Sequence, residues 1–423
     1  MAADTKYDAA AISKEFLALD KVKFIDKQGK TVIPSRKCES VSAFHDGLAR
    51  FRFVESSGEI MEGFIDKQGN WAIAPTSALR FESVRDFSEG LAAKPFLPSK
   101  DEPASTFVRF GYIDSSGKYV ISPKVQRLSD FELRSSGECF KFSDGLALVR
   151  SDLIKSGGSS YPFQIYPEAA QYSYIDRTGK TVLNLSDDME VIEPKPRLDD
   201  FPYPMAKVEE QSGLERECMG SSFSNGLALI KFKGKYGFLT KNGTWLASNL
   251  DDALPFSEGL AYVRRGKQAG FIDTKGNMVI RLPVQPETYP ASFHDGLCRQ
   301  RVKWSGGTGG PLSTSISFID RKGSPAFKLN VCKDLNAFTG DFYCGLARVR
   351  CVDGKYGYIN KSGVWKIAPQ FENAEDFHEG ISRVSTDDNH NLYIDENGRV
   401  VWNAGLRAGT LCSNGLIGVW TKK

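Results

Sequence analysis

The chain has 423 residues, a formal net charge of +3 and a pI near 8.3, with 41% hydrophobic and 25% charged residues. Its charge is too mild for a nucleic-acid binder, which clusters Lys and Arg on one face, and its composition is that of a globular protein, not a disordered one. No apolar run is long enough for a membrane helix, and no basic segment followed by an apolar core opens the chain. No membrane insertion is therefore expected, and a cytoplasmic location is.

Residues 4–20 form the one stretch that reads as a helix. Asp4 or Thr5 can cap it, and Ile12, Phe16 and Leu17 or Leu19 fall on one stripe. It is expected to act as a helical cap, residues 1–22, over the exposed edge of the first repeat.

From Lys23 onward the chain repeats one motif, and residues 345–380 are its most regular copy. That copy alternates through Leu346, Arg348 and Val349, turns at Asp353-Gly354-Lys355, alternates again from Tyr356 to Ile359, turns at Asn360-Lys361-Ser362-Gly363, and runs from Val364 to Ile367. Pro369 is expected to stop the last run, because proline cannot donate to a ladder. The unit reads as a three-stranded meander.

Its second turn carries a signature: an Asp or Asn able to accept from the backbone two residues on, then a Gly three residues later that supplies positive φ. The pairs are Asp26/Gly29, Asp66/Gly69, Asp114/Gly117, Asp176/Gly179, Thr240/Gly243, Asp273/Gly276, Asp320/Gly323, Asn360/Gly363 and Asp395/Gly398. Alternating with it is a box, Phe44-His45-Asp46-Gly47-Leu48-Ala49, that recurs around Gly90, Gly145, Gly226, Gly259, Gly296, Gly345 and Gly380 and, degraded, around Gly415. Degradation fits a terminal repeat lacking a neighbour. The boxes at Gly226, Gly259 and Gly296 follow at 33 and 37 residues, a spacing that favours three strands per unit over a four-stranded propeller blade. Three insertions break the period: 151–171, the acidic 186–220, and the glycine-rich 302–315.

Few residues point to chemistry. His45, His294 and His378 share one slot of the box, so they belong to different units and should not converge on one metal. The repeated carboxylates sit beside glycines once per unit, which turn geometry explains; an active site is a single convergent cluster. No calcium-loop spelling occurs, and Gly306 to Gly310 lacks the Lys-Ser/Thr of a phosphate loop. Eight cysteines are scattered without a Cys-x-x-Cys pair, as expected of reduced, buried thiols in the cytosol, with Cys344–Cys351 the one conceivable bridge. The box aromatics Phe44, Phe87, Phe142, Phe223, Phe256, Phe293, Phe342 and Phe377 are expected in the core between units, each contributing about 1.5–3 kcal/mol. Aromatics and acids of the insertions have no repeat role, which makes Tyr161, Phe163, Tyr166, Asp199, Asp200, Phe201, Tyr203 and Trp304 the candidate partner-binding residues.

The Gly-Lys-Tyr-Gly runs from Gly234 and Gly354, the Trp after each turn at Trp71, Trp245 and Trp365, and the Phe-x-Glu-Gly-Leu-Ala box resemble the bacterial WG (KWG) repeat family over most of the chain from Lys23. No Trp-Gly pair survives: Tyr236, Tyr356, Glu62, Phe110 and Ala269 stand before the Gly. The resemblance implies a β-rich repeat architecture and an interaction scaffold, not one chemistry.

The expected fold is thus all-β: about nine three-stranded antiparallel meanders over residues 23–423, stacked into an elongated or curved solenoid with a short N-terminal helix; a closed β-propeller is the alternative. The expected function is non-enzymatic, without cofactor, metal or nucleic acid: a scaffold, linker or assembly subunit binding other protein subunits. A carbohydrate- or peptidoglycan-binding repeat protein is the alternative.

Overall fold

The computed structural model describes residues 19–78, 84–96, 109–124, 141–152, 170–186, 188–191, 221–283, 288–304, 313–329, 338–351, 353–386 and 390–422. Every regular element among them is a strand. The chain divides into two compact units, residues 1–81, 305–315 and 327–423, and residues 82–304 and 316–326. Each is described by itself.

The 338–371 sheet shows how the repeat folds. Its strands are Phe338–Thr339, Leu346–Arg350, Tyr356–Asn360 and Trp365–Phe371, hydrogen-bonded in that order. The box makes the first of these. Tyr343 and Leu346 exchange backbone bonds of 2.9 and 3.1 Å around Cys344 (φ 53°) and Gly345 (φ 78°), a two-residue turn with both residues left-handed. The turn sends the preceding residues back along the second strand, pairing Phe338 with Arg350 and Thr339 with Val349. Among the described residues seven of the nine sheets therefore have a fourth strand that the sequence reading lacked, and the sheets built on Leu19–Asp26 and Arg109–Ile113 have three. A strand of two residues carries no alternation to read.

The Asp/Gly turns form as expected. Gly363 donates to the Asn360 carbonyl at 2.9 Å with φ 74°, and the other eight pairs make the same bond at 2.9–3.0 Å. The Gly of each Tyr-Gly or Phe-Gly pair has a separate cause. At Gly357 the register between third and fourth strands slips, and a Cβ there would meet the Ile367 carbonyl oxygen at 2.6 Å. Gly63 and Gly111 sit at equal slips facing Ile73 and Ile121.

Pro369 does not stop its strand; it lies inside Trp365–Phe371. That strand is the edge of its sheet, where a missing N–H costs no ladder bond and blocks pairing with another chain. Pro34, Pro75 and Pro123 occupy the edge strands Thr31–Lys37, Trp71–Ser77 and Tyr119–Lys124 in the same way.

Successive sheets join through the box aromatic, as expected. Tyr358 on a third strand meets Phe377 of the next box edge-to-face at 4.8 Å, and Phe24 meets Phe44 at 5.0 Å in the first unit. Tyr174–Phe223, Phe238–Phe256 and Phe271–Phe293 repeat the contact at 4.8–4.9 Å in the second. All eight box phenylalanines are at most 3% exposed. Two third-strand tyrosines place the hydroxyl on a carbonyl: Tyr358 donates to Glu375 at 2.7 Å and Tyr393 to Thr410 at 2.8 Å, as a buried phenol requires. In the copies without an aromatic before the Gly, Glu62 is buried 3.9 Å from Arg50, and Ala269 joins the core.

The two ends of the described chain meet. Leu19–Asp26 pairs antiparallel with Leu416–Lys422, from Leu19 opposite Lys422 to Asp26 opposite Leu416, and with Thr31–Lys37 on its other side. An open stack would put the first and last repeats in different sheets, whereas here both build one. The solenoid expectation is overturned, and the closed β-propeller describes the topology of the nine small antiparallel sheets among the described residues. The box at Gly415 is not without a neighbour, since Gly47 donates to Asn414 Oδ1 at 3.2 Å. Leu19 and Asp20, assigned to the expected helix, are in a strand; residues 4–18 lie outside the described residues.

The cysteines depart from the expected buried thiols at two positions, Cys344, which is exposed, and Cys351. Cys351 is disulfide-bonded, whereas Cys38, Cys298, Cys344 and Cys412 are free, so the bridge is not Cys344–Cys351. Burial pushes the Cys38 thiol up to about 12 and the Cys412 thiol up to about 11, so both stay protonated. Cys139, Cys218 and Cys332 lie outside the described residues.

Candidate interaction surface

Because strands alternate in direction, each sheet has two unlike ends. One carries the box turn and the Asp/Gly turn; the other carries the hairpin between second and third strands.

At the first end the polar side chains are committed to holding sheets together. In the second unit Gly145 donates to Glu89 Oε2 at 2.9 Å, Gly226 to Asp144 Oδ2 at 2.6 Å and Gly296 to Glu258 Oε2 at 3.0 Å. In the first unit Gly415 donates to Glu379 Oε2 at 2.7 Å, and Gly380 faces Cys344 Sγ at 3.3 Å. The left-handed residue of one box thus caps the glycine amide of the next. The neighbouring slot adds a second rung: Ser143, Ser224 and Ser257 donate to the carbonyls of Phe223, Phe256 and Phe293 at 2.6–2.9 Å. The basic residue of the Asp/Gly turn flanks these anions, with Lys27 3.7 Å from Glu379 and Arg321 3.9 Å from Glu258. Burial raises the Glu379 carboxyl, but the amides of Gly415 and Asn414 with Lys27 outweigh it, so it lies below the ordinary range.

His45, His294 and His378 stand on three different sheets. Among the described residues no three His, Cys, Asp or Glu side chains are placed to hold a metal. The turn carboxylates serve their turns: Asp66 Oδ1 accepts from Gln68 at 2.9 Å and from Asn70 at 2.8 Å. Asp66→Asn should be nearly neutral, and Asp66→Ala should cost about 0.5–1.5 kcal/mol for the lost local bonds. Thermal melts with and without EDTA check this; a chelator-dependent shift would mean a bound metal instead.

Irregular lengths open mostly at the other end. Segment 97–108 is flanked by Phe96 paired with Arg109, and 153–169 by Asp152 paired with Ala170. Segment 305–312 joins Leu297–Trp304 to Ser313–Asp320. Segment 192–220 leaves elsewhere. Val191 pairs with Ile230 and Ser221 Oγ donates to the Leu229 carbonyl at 2.9 Å, so this insertion starts and returns at neighbouring positions on a first-strand edge. Of the candidate partner-binding residues, Tyr161, Phe163, Tyr166, Asp199, Asp200, Phe201 and Tyr203 lie outside the described residues. Trp304 ends its strand beside segment 305–312.

The sequence reading passed over Asp251, which belongs to neither signature. Its Oδ1 accepts from Lys235 Nζ at 2.5 Å and its Oδ2 from the Gly266 amide at 2.6 Å, which ties the hairpin of the 189–250 sheet to that of the 252–282 sheet. Its one sequence signal is a pair of aspartates, Asp251-Asp252, between two repeats.

Small sheets of three or four short strands, stapled box to box and closed by a sheet drawn from both ends, define a β-propeller of tandem repeats. The family model described as WG containing repeat matches residues 24–53, 63–93, 110–132, 236–267 and 356–389, and the chain carries repeats of that family. Each match starts in a third strand, and four of the five run to or beyond the second strand of the following sheet, so the sequence repeat straddles two sheets.

Solved structures match the chain at low identity. A eukaryotic initiation factor is 9% identical over 95% of this chain and 98% of its own, with a TM-score of 0.51. BamB from Moraxella catarrhalis is 12% identical over 95% and 99%, at 0.38. Kluyveromyces lactis Hsv2 is 10% identical over 59% and 83%, at 0.31. The first of these speaks for the fold alone. No curated protein matches the chain by sequence.

Proposed function

We propose that the protein is a non-enzymatic interaction scaffold, an assembly subunit that docks other protein subunits through the second-to-third-strand end of its sheets. The observation that carries this reading is the contrast between the two ends. Turns at one end are short, and their acids, serines and amides are hydrogen-bonded from sheet to sheet. Hairpins at the other end differ in length from sheet to sheet, as expected where a rigid scaffold presents variable binding segments. A cytoplasmic location belongs to the same reading. It is supported by the free buried thiols Cys38, Cys298 and Cys412 and opposed by the disulfide at Cys351.

Replacing 153–169 and 305–312 by short Gly-Ser links should leave the melting temperature nearly unchanged and remove the partners that co-purify with the full chain. Retention of the same partners at equal yield would refute the assignment of binding to this end. Binding on a glycan array, lost in the same variant, would favour the carbohydrate alternative.

A further inference from the structure

In the second unit two hairpins at this end are short and fully described, those of the 189–250 and 252–282 sheets. Lys233 (φ 49°) and Gly234 (φ 76°) form the first tip. A two-residue turn of this kind favours Asn, Asp or Gly at its first position, and a Lys held left-handed there is uncommon. It places an amine, 65% exposed, at the extreme of the hairpin.

The second tip is locked to the first through Asp251, whose carboxyl is held below its usual range by Lys235 and then by the Gly266 amide. Lys231, Lys233 and Arg264 also have carboxylate neighbours, Glu190 at 2.6 Å, Asp188 at 3.5 Å and Asp251 at 3.7 Å. Arg265 and Lys267 are exposed and have no carboxylate partner among the described residues. Arg265 donates one Nη2 bond to the Ser248 carbonyl at 2.5 Å, which fixes its guanidinium plane and leaves further N–H groups facing water. The two linked tips therefore present the Arg265 guanidinium, held by one bond, together with the exposed ammonium groups of Lys233 and Lys267, on hairpins whose backbones are already tied to each other through Asp251.

Such a fork suits carboxylates, which an arginine binds bidentately. The same face carries Asp188, Glu190 and Asp251, which repel a continuous polyphosphate or an anionic membrane but tolerate a chain whose carboxylates are spaced. We propose that these two tips form a docking site for an acidic segment of a partner protein, a proposal that rests on the scaffold reading and names the chemistry of one partner.

The full chain is titrated with a fluorescent peptide of alternating Glu and Ser, followed by anisotropy at low and at physiological salt, with oligo-dT and vesicles of anionic lipid as parallel arms. The expected result is salt-sensitive peptide binding, weakened at least about tenfold in Lys233→Gly/Arg265→Ala/Lys267→Ala. Lys233→Gly relaxes a strained turn and the other two residues are exposed, so the variant should keep its melting temperature; Arg265→Ala alone, which leaves the turn untouched, should give a smaller loss of the same sign. Absent peptide binding, equal binding by the folded variant, or tighter binding of oligo-dT or vesicles than of peptide would overturn the proposal. If the variant still captures every native partner of the full chain, the docking site falls and the scaffold reading stands; if the full chain captures none, the scaffold reading falls.

Discussion

Deleting residues 416–423 is expected to unfold the first unit instead of fraying one end of it. Leu416–Lys422 is the only strand that the C-terminal side contributes to the closing sheet among the described residues. Its Leu416, Ile417, Val419 and Trp420 are at most 9% exposed. At about 1.5–3 kcal/mol each, their burial is worth about 6–12 kcal/mol as an upper estimate, comparable with the whole stability of a typical domain. The deletion also leaves one side of Leu19–Asp26 as a bare edge, which invites association between chains. Thermal melts and size-exclusion profiles of the truncated and full chains check this. An open array would lose only its last repeat, so a truncated protein that melts within a few degrees of the full chain and stays monomeric would refute closure.

Glu379→Ala is expected to cost about 1–3 kcal/mol, because the carboxylate accepts from the Asn414 and Gly415 amides at 2.8 and 2.7 Å, and charge-assisted bonds of this kind are the stronger ones. The effect depends on pH. The folded carboxyl titrates below the ordinary value of 4.5, so its contribution is present above that value and is lost as pH falls through the lower folded one. Glu379→Gln keeps an acceptor oxygen and drops the charge. Urea unfolding should therefore show Glu379→Gln destabilised relative to the parent near neutral pH and nearly equal to it well below the folded pKa. An equal difference at both pH values would mean that the charge does nothing and the residue acts by shape alone.

Some side chains needed the fold to acquire a meaning. Arg348 reads in the sequence as one member of an alternating strand. In the structure its guanidinium is mostly buried, 3.1 Å from Asp376, and donates to the Ala374 carbonyl at 2.8 Å, both on the following repeat. The box acid reads as a turn residue; it is one, with φ near 50° at Asp144, Glu258 and Glu379, and each of these three is also the cap of an amide one sheet away. Pro369 looked like a stop because the number of strands on either side of it was unknown.

Local chemistry was legible without coordinates. Asp or Asn followed by Gly forces the same turn wherever it occurs, a Phe repeated at one slot has to be buried, and period-two runs have to be strands, since each depends on residues a few positions apart. Closure, the short first strand and the partner of each box acid depend on pairings such as Leu19 with Lys422 and Gly47 with Asn414. Those pairings are made between chemically ordinary groups, and nothing in a strand's own residues states which distant strand will satisfy its backbone; only the folded chain, which must leave no ladder unpaired, settles that.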